Sequence, residues 1–266
     1  MQLNDKTEKL IKLVIKRDSF LTCLRENQKD KRTLVAELDY SRSTVDRGIR
    51  DLEAAGLVQY KNGGYQLTSL GASIMDGFVE FVEASEQRVR LDPFLRWIDE
   101  DALDLDYSYL ADAEIIAADP GDPYAVINYH VSRIESMYNG RFLLPIIGLH
   151  GTEVIYERII NHGATCELVV EPDVMNTIQS KDEYLEYFEE MIATDRLTIY
   201  RTETNLSPPV GIINDCVQLL AVDGDLPRTL IETSHSQVYE WATDTFEAYK
   251  QQAELVMASD MGITTS

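Results

Sequence analysis

The sequence predicts a chain of the α+β / α/β classes: a small helical head closed by a β-hairpin, followed by a mixed-sheet α/β domain. Three observations carry this reading. Apolar residues recur at three- and four-residue spacing up to residue 55, the signature of amphipathic helices. Two strand-like runs then flank Asn62-Gly63, the strongest short hairpin signal in the chain. From residue 110 onward, apolar runs of strand length alternate with helical stretches.

In the head, Leu10, Leu13 and Val14 follow helical spacing, and Phe20, Leu21 and Leu24 continue it after Asp18-Ser19. A polar link, Lys29-Asp-Lys-Arg, precedes a short helix with Leu34, Val35 and Leu38 on one face. Asp39-Tyr40 makes a turn, Ser41 is a good N-cap, and a longer helix spans 42–55 with Val45, Ile49 and Leu52 inward. Gly56 terminates it. After the hairpin, Thr68-Ser69 opens a linking helix to about Glu86, carrying Leu70, Ile74, Phe78, Phe81 and Val82. Residues 1–86 are thus a head with its linking helix. Residues 87–109 read as a linker with a helical element around 94–98 and a solvated acidic run.

The body is expected over 110–258, with 259–266 a disordered tail. Strands are predicted at 113–118, 142–148, 165–170, 197–200, 210–213, 218–222 and 229–233. Helices are predicted at 124–138, 152–161, 173–178, 182–193 and 238–257. Crossover helices come early and hairpin-like strands late, with turn signals at Asn214-Asp215 and Asp223-Gly224-Asp225, so the sheet is mixed.

Composition bounds the function. At 44% hydrophobic the chain can build a packed core. No run of about 18 apolar residues is present, so no membrane-spanning helix is expected. The first residues lack a charged-then-apolar leader, and Cys23, Cys166 and Cys216 are too widely spaced for a disulfide framework or zinc finger. Both features point to the cytoplasm. The charge is divided unevenly. Residues 1–62 carry 13 Lys and Arg against 10 Asp and Glu, while residues 63–266 carry 11 against 36. Such an acidic body with only two Lys resembles proteins of salt-loving organisms.

The head's order of helix, helix, turn, helix and hairpin is that of a winged helix-turn-helix. Its second helix can enter a major groove N-terminal residues first. Ser41, Arg42, Ser43, Thr44, Arg47, Gly48 and Arg50 fall toward the start or outward face of that helix. Ser43 and Thr44 suit phosphate or base-edge contacts, and Arg47 and Arg50 supply guanine-type bidentate donors. Lys61 and Asn62 at the hairpin tip would touch the adjacent backbone. Double-stranded DNA is the expected partner. Asp46 and Asp51 on the same helix count against this and, with the acidic body, leave a protein–protein adaptor as the alternative.

The run Leu-Asp-Tyr-Ser-Arg-Ser-Thr-Val-Asp-Arg-Gly-Ile-Arg-Asp-Leu-Glu-Ala-Ala-Gly-Leu-Val, continued by Tyr65-Gln-Leu-Thr-Ser-Leu-Gly71, resembles the winged-helix regulators of archaea. Asp122-Pro-Tyr124, Gly140-Arg-Phe-Leu-Leu-Pro145, Gly163-Ala-Thr-Cys-Glu-Leu-Val-Val-Glu171 and Trp241-Ala with Phe246-Glu and Tyr249 resemble the sensing domain of haloarchaeal filament/methanogenesis-type regulators. The resemblance implies a DNA-binding transcription regulator.

No catalytic pattern is found. Gly-x-Gly-x-x-Gly, the phosphate-binding Gly-x-x-x-x-Gly-Lys, His-Glu-x-x-His and Gly-x-Ser-x-Gly are all missing. His130-Val-Ser and His150-Gly-Thr lack the Lys of the His-x-Lys motif used by phospholipase-type transferases. No enzyme, cofactor or metal is expected. A binding cleft at the carboxyl ends of the strands is expected instead, with Gly148, His150, Gly151, Thr152 and Glu171 as effector contacts for a small anionic metabolite. A homodimer is expected, because paired half-sites multiply the weak affinity of one reading head.

Overall fold

The computed structural model describes residues 3–99, 102–224 and 226–257. The tail expected at 259–266 lies outside the described residues. The chain divides into two compact units at residues 86/87.

The first unit contains α1 (Asp5–Lys16), α2 (Asp18–Glu26), α3 (Lys31–Leu38), α4 (Arg42–Ala54), β1 (Val58–Lys61) and β2 (Gly64–Leu67), followed by the start of α5 (Ser69–Leu95). Side-chain caps set three of the starts: Asn4 Oδ1 accepts from Thr7 N at 2.8 Å, Asp30 Oδ1 from Thr33 N at 2.8 Å, and Ser41 Oγ from Thr44 N at 3.2 Å. Asp39, left-handed at φ 50°, makes the turn between α3 and α4. α4 ends as its glycine implies: Gly56 N donates to Glu53 O and Leu57 N to Leu52 O, closing a Schellman motif. Phe20, Leu21, Leu34, Val45, Ile49 and Leu52 fill the core. Gly48 is not on the outward face. It is buried against the Phe20 ring, where a Cβ would come within 2.6 Å of Cζ.

The hairpin pairs Val58–Lys61 with Gly64–Leu67, and Asn62 and Gly63 both take positive φ, as a two-residue turn of this hand requires. Residues 28–29 brace it as a third edge: Lys29 and Tyr65 exchange backbone bonds of 3.0 and 2.8 Å, and Gln28 Nε2 donates to Lys61 O at 2.7 Å.

The linker expected at 87–109 is instead part of the second unit. α5 runs on to Leu95, and Leu91, Phe94 and Leu103 are buried in that unit's core. Nothing before Pro93 breaks the helix, and Pro93 lies in its last turn. A 3-10 turn at Tyr107–Leu110 leads into β3 (Glu114–Ala117). The order continues α6 (Ala125–Ile134), β4 (Asn139–Leu144), α7 (Leu149–His162), β5 (Thr165–Val170), α8 (Pro172–Ser180), α9 (Asp182–Ile192), β6 (Leu197–Arg201), β7 (Val210–Ile213), β8 (Cys216–Asp223), β9 (Leu226–Thr233), α10 (Ser236–Gln251) and β10 (Glu254–Leu255).

The sheet order is β10-β6-β5-β4-β7-β8-β9-β3. β4, β5 and β6 are parallel to one another, and every other pairing is antiparallel, so the sheet is mixed as expected. Successive residues serve opposite faces. Phe142 and Leu168 join the core beneath α7, α8 and α9, while Leu143 and Val169 join the core beneath α10.

Two boundaries differ from expectation in ways that matter. β4 ends at Leu144 and not at 148, because Pro145 has no N–H for the ladder. The last helix ends at Gln251 and not near 257. Val256 continues its apolar spacing but lies on the sheet, its N donating to Ile199 O at 2.9 Å.

A polar network fixes α6 on the sheet. His130 Nδ1 lies 2.6 Å from Gln218 Oε1, Gln218 Nε2 donates to Glu232 Oε2 at 2.7 Å, and Arg133 Nε donates to the same carboxylate at 3.0 Å. Tyr129 OH lies 2.8 Å from Glu114 Oε2 and 3.1 Å from Glu232 Oε1, so its one hydrogen serves one of these carboxylates at a time.

Candidate nucleic-acid interface

α4 is held by its inner face and presents its outer face. Arg42, Ser43, Arg47 and Arg50 are exposed, as are Lys61 and Asn62 at the hairpin tip. Ser41 is spent as a cap, and its Oγ also lies 3.0 Å from Ser43 Oγ and 2.8 Å from Thr44 Oγ1. The first turn of α4 is therefore a cluster of hydroxyls at the positive end of a helix.

The two carboxylates of α4 that tell against nucleic acid are both engaged. Lys31 Nζ donates to Asp46 Oδ1 at 2.6 Å, and Arg17 Nη2 donates to Asp51 Oδ2 at 2.7 Å. The Lys31 hydrogen bond holds the Asp46 carboxyl below the usual carboxylate range, and the Arg17 bond does the same for Asp51. Arg42, Arg47 and Arg50 form no ion pair among the described residues. Of the three carboxylates on α4, Asp46 and Asp51 are thus met by cations from other elements, while Glu53 is exposed near the C-terminal end, away from the hydroxyl-bearing first turn.

Lys16 and Arg17, which the sequence pattern does not single out, belong to this surface. They come from the α1–α2 junction and, with Ser43, Thr44 and Arg47, line a pocket of about 200 Å³. Arg17 is only 6% exposed, and its Nε is buried without a hydrogen-bond partner. The missed signal is a Lys-Arg pair at a helix break, which spacing alone does not distinguish from a solvated end.

The expected effector residues are arranged differently. Gly148 caps α7, so His150, Gly151 and Thr152 lie in its first turn rather than in an open loop. Thr152 is 3% exposed, and its hydroxyl donates to Gly148 O at 3.1 Å. Glu171 caps α8 and accepts from Leu206 N at 2.8 Å. Glu171 N donates to Leu144 O, so these caps lie at the same, carboxyl end of the parallel strands β4 and β5. A shallow groove of about 300 Å³ beside His150 is lined by three acids, Glu135, Glu153 and Glu157, against Arg158 and His162, and so offers an anion no concentrated positive charge. Thr152 is a buried residue inside α7 and Glu171 is the N-cap of α8, and neither is carried forward as a ligand contact. Arg141 lies inside β4, 3.5 Å from Glu167, rather than ahead of the strand.

Among the described residues no group of His, Cys, Asp and Glu is placed to hold a metal, and no helix is long and apolar enough to cross a membrane.

Fold and surface define a four-helix head closed by a two-stranded hairpin, with arginines on the outer face of α4, followed by a mixed α/β unit. Family comparisons divide the chain in the same way. Residues 4–90 match the family model of the HVO_A0261 N-terminal domain, and residues 123–252 match that of the middle domain of the methanogenesis regulatory protein FilR1. No curated protein matches the chain. Among solved structures, TrmBL2, an archaeal chromatin protein with a novel mode of DNA binding, aligns at 14% identity and TM-score 0.43 over 81% of this chain and 84% of its own. Nuc, a phospholipase D family member from Salmonella typhimurium, aligns at 11% identity and TM-score 0.41 over 54% of this chain and 98% of its own. NucT from Helicobacter pylori aligns at 11% identity and TM-score 0.42 over the same shares.

Proposed function

We propose that the chain is an archaeal transcription regulator that binds double-stranded DNA with α4 and its hairpin, acts in the cytoplasm as a homodimer, and uses residues 87–257 as a sensing or assembly domain rather than an enzyme. The observation that carries this is the charge arrangement of α4. Asp46 and Asp51 are paired from other elements, and Arg42, Arg47 and Arg50 remain available. The adaptor alternative drew on those two acids and on the acidic body, and it loses the support of the two acids. The match of residues 123–252 to a methanogenesis regulatory protein's middle domain supports the regulatory role of the body. Leu70 and Phe81, at 52% and 67% exposed on α5, support a second copy as partner.

The test is genome-wide mapping of the protein's positions on DNA in its host. Enrichment at a set of promoters is the expected result, and it would supply the operator. Uniform or absent occupancy would remove the reading. Sedimentation at micromolar concentration tests the dimer separately.

A further inference from the structure

We propose that Lys16, Arg17, Ser43, Thr44 and Arg47 form a seat for one phosphate group of the DNA backbone, fixing the register of α4 in the groove. This rests on the DNA-binding reading above and adds a ligand group and two residues that lie outside the helix-turn-helix.

The pocket is built from two elements. α1 ends at Lys16 and α2 begins at Asp18, so Arg17 is the single residue between two helices. Arg17 is anchored at one end only: its Nη2 holds Asp51, while its Nε is buried with no partner. A buried donor left this way is costly unless a ligand or water meets it. Across the pocket stand Ser43 and Thr44, the second and third residues of α4, with Arg47 one turn further on. A helix start leaves N–H groups unpaired and carries about half a positive charge, both suited to an oxyanion. Lys16 and Arg47 are exposed and in no ion pair among the described residues. Three cations, two hydroxyls and a helix start thus converge on about 200 Å³, room for one phosphate group. Asp51 is the one carboxylate bonded to any of these cations among the described residues, and its charge is met by Arg17. Three cations on one small seat favour an anionic phosphate oxygen over a neutral base edge.

The test is anisotropy of the full chain on three mixed-sequence duplexes over a KCl series, with Lys16→Gln as the diagnostic variant. Lys16 is exposed, so its replacement leaves the core intact. Lys9→Gln, on α1 but outside the pocket, is the charge control, and Arg50→Ala, on α4 but outside the pocket, tests the DNA reading itself. The expected result is that Lys16→Gln weakens all three duplexes alike and reduces the slope of log affinity against log salt by about 1, while Lys9→Gln leaves that slope unchanged. If Lys16→Gln keeps the parent slope, or Lys9→Gln changes it equally, the phosphate seat is overturned; weakening by Arg50→Ala would then leave the DNA reading standing. If the parent binds no duplex at any salt, both readings fall. A parallel arm measures melting with inorganic phosphate at constant ionic strength. Stabilisation of the parent but not of Lys16→Gln, with duplex slopes equal in the two, would assign the pocket to free phosphate and overturn the backbone seat.

Discussion

Arg17 and Asp51, separated by 34 residues, meet at 2.7 Å and tie the α1–α2 junction to the last turn of α4. The pair serves two ends: it cancels a carboxylate on the helix proposed to face nucleic acid, and it holds a nearly buried guanidinium in place. Removing Asp51 leaves Arg17 enclosed without its counter-charge. Asp51→Asn is therefore expected to lower the melting temperature at neutral pH. The pH dependence follows from the depressed carboxyl. Its stabilisation is full above the ordinary Asp pKa of about 3.9 and is lost as pH falls through the lower folded value. The gap between parent and variant should close in acid, as followed by circular dichroism. A gap that persists unchanged below that range would mean that shape, not charge, makes the contact.

Gly48 sets how closely α4 approaches α2. A Cβ there would lie 2.6 Å from Phe20 Cζ, a ring that is itself fully buried. Gly48→Ala should destabilise the first unit by roughly 1–3 kcal/mol through overpacking. Gly77, in α5, gives the opposite expectation, because a Cβ added there would meet nothing within 4 Å. Gly77→Ala should stabilise by about 0.8–1 kcal/mol from helix propensity. Denaturant melts of both variants check the contrast, and equal signs would refute it.

His130 is expected to resist protonation. Burial pushes its pKa below 6.5, and the Gln218 hydrogen bond and Glu232 charge oppose this more weakly. Gln218 Nε2 is committed to Glu232, so Gln218 Oε1 faces the ring and Nδ1 carries the hydrogen. The folded chain keeps the ring neutral where the unfolded chain takes a proton. Stability from this residue is therefore present above about pH 6.5 and declines as pH falls below it. His130→Asn keeps a donor near Gln218 and removes the titration. The parent should lose melting temperature relative to this variant on going from pH 8 to about pH 5.5. Parallel curves would show that His130 does not titrate differently on folding.

The three thiols should separate by reactivity. Cys166 is 1% exposed and burial pushes its thiol upward; Cys23 is 8% exposed and raised by burial, then by its bond to Glu37; Cys216 is the most accessible. Thiolate attack needs both access and ionisation. Maleimide should label Cys216 first and Cys166 only after unfolding, as read by mass spectrometry of timed samples. Early labelling of Cys166 would contradict its place in the sheet core.

The hairpin was legible because Asn62 and Gly63 tolerate the positive φ that both adopt, and α4 because Ser41 and Gly56 mark its ends in chemistry that acts over four residues. The outer-face arginines were legible for the same local reason. Arg17 was not, since its role depends on Asp51 arriving from another helix. Gly48 reads as outward only until Phe20 is packed against it. The stretch 87–109 reads as a linker because Leu91 and Phe94 sit among charged residues and Leu103 lies in an acidic run, while their burial is decided by a sheet formed from residues much later in the chain. At the expected effector turn, α7 starts three residues earlier than its apolar spacing implies. That short slip turns Thr152 from a ligand contact into a cap-bonded core residue.

Salt should stabilise this chain, and the reason is visible in single elements. α9 carries Asp182, Glu183, Glu186, Glu189 and Glu190 with no Lys or Arg among its residues. The body as a whole holds 36 acids against 11 bases. Such a surface repels itself in dilute buffer. The screening length falls from about 10 Å at 0.1 M salt to about 3 Å at 1 M, shorter than the spacing of most surface carboxylates. Ion pairs such as Lys12–Glu8 and Arg201–Glu203 weaken over the same range, but exposed pairs contribute little. The repulsion term therefore dominates, and the melting temperature is expected to rise steadily in KCl and to level off once screening is complete. KCl is the right salt, because sulfate strengthens apolar burial in any protein. A melting temperature that stays flat or falls between about 0.1 M and molar KCl would show that the acidic surface is tolerated without screening and would sink the halophilic reading.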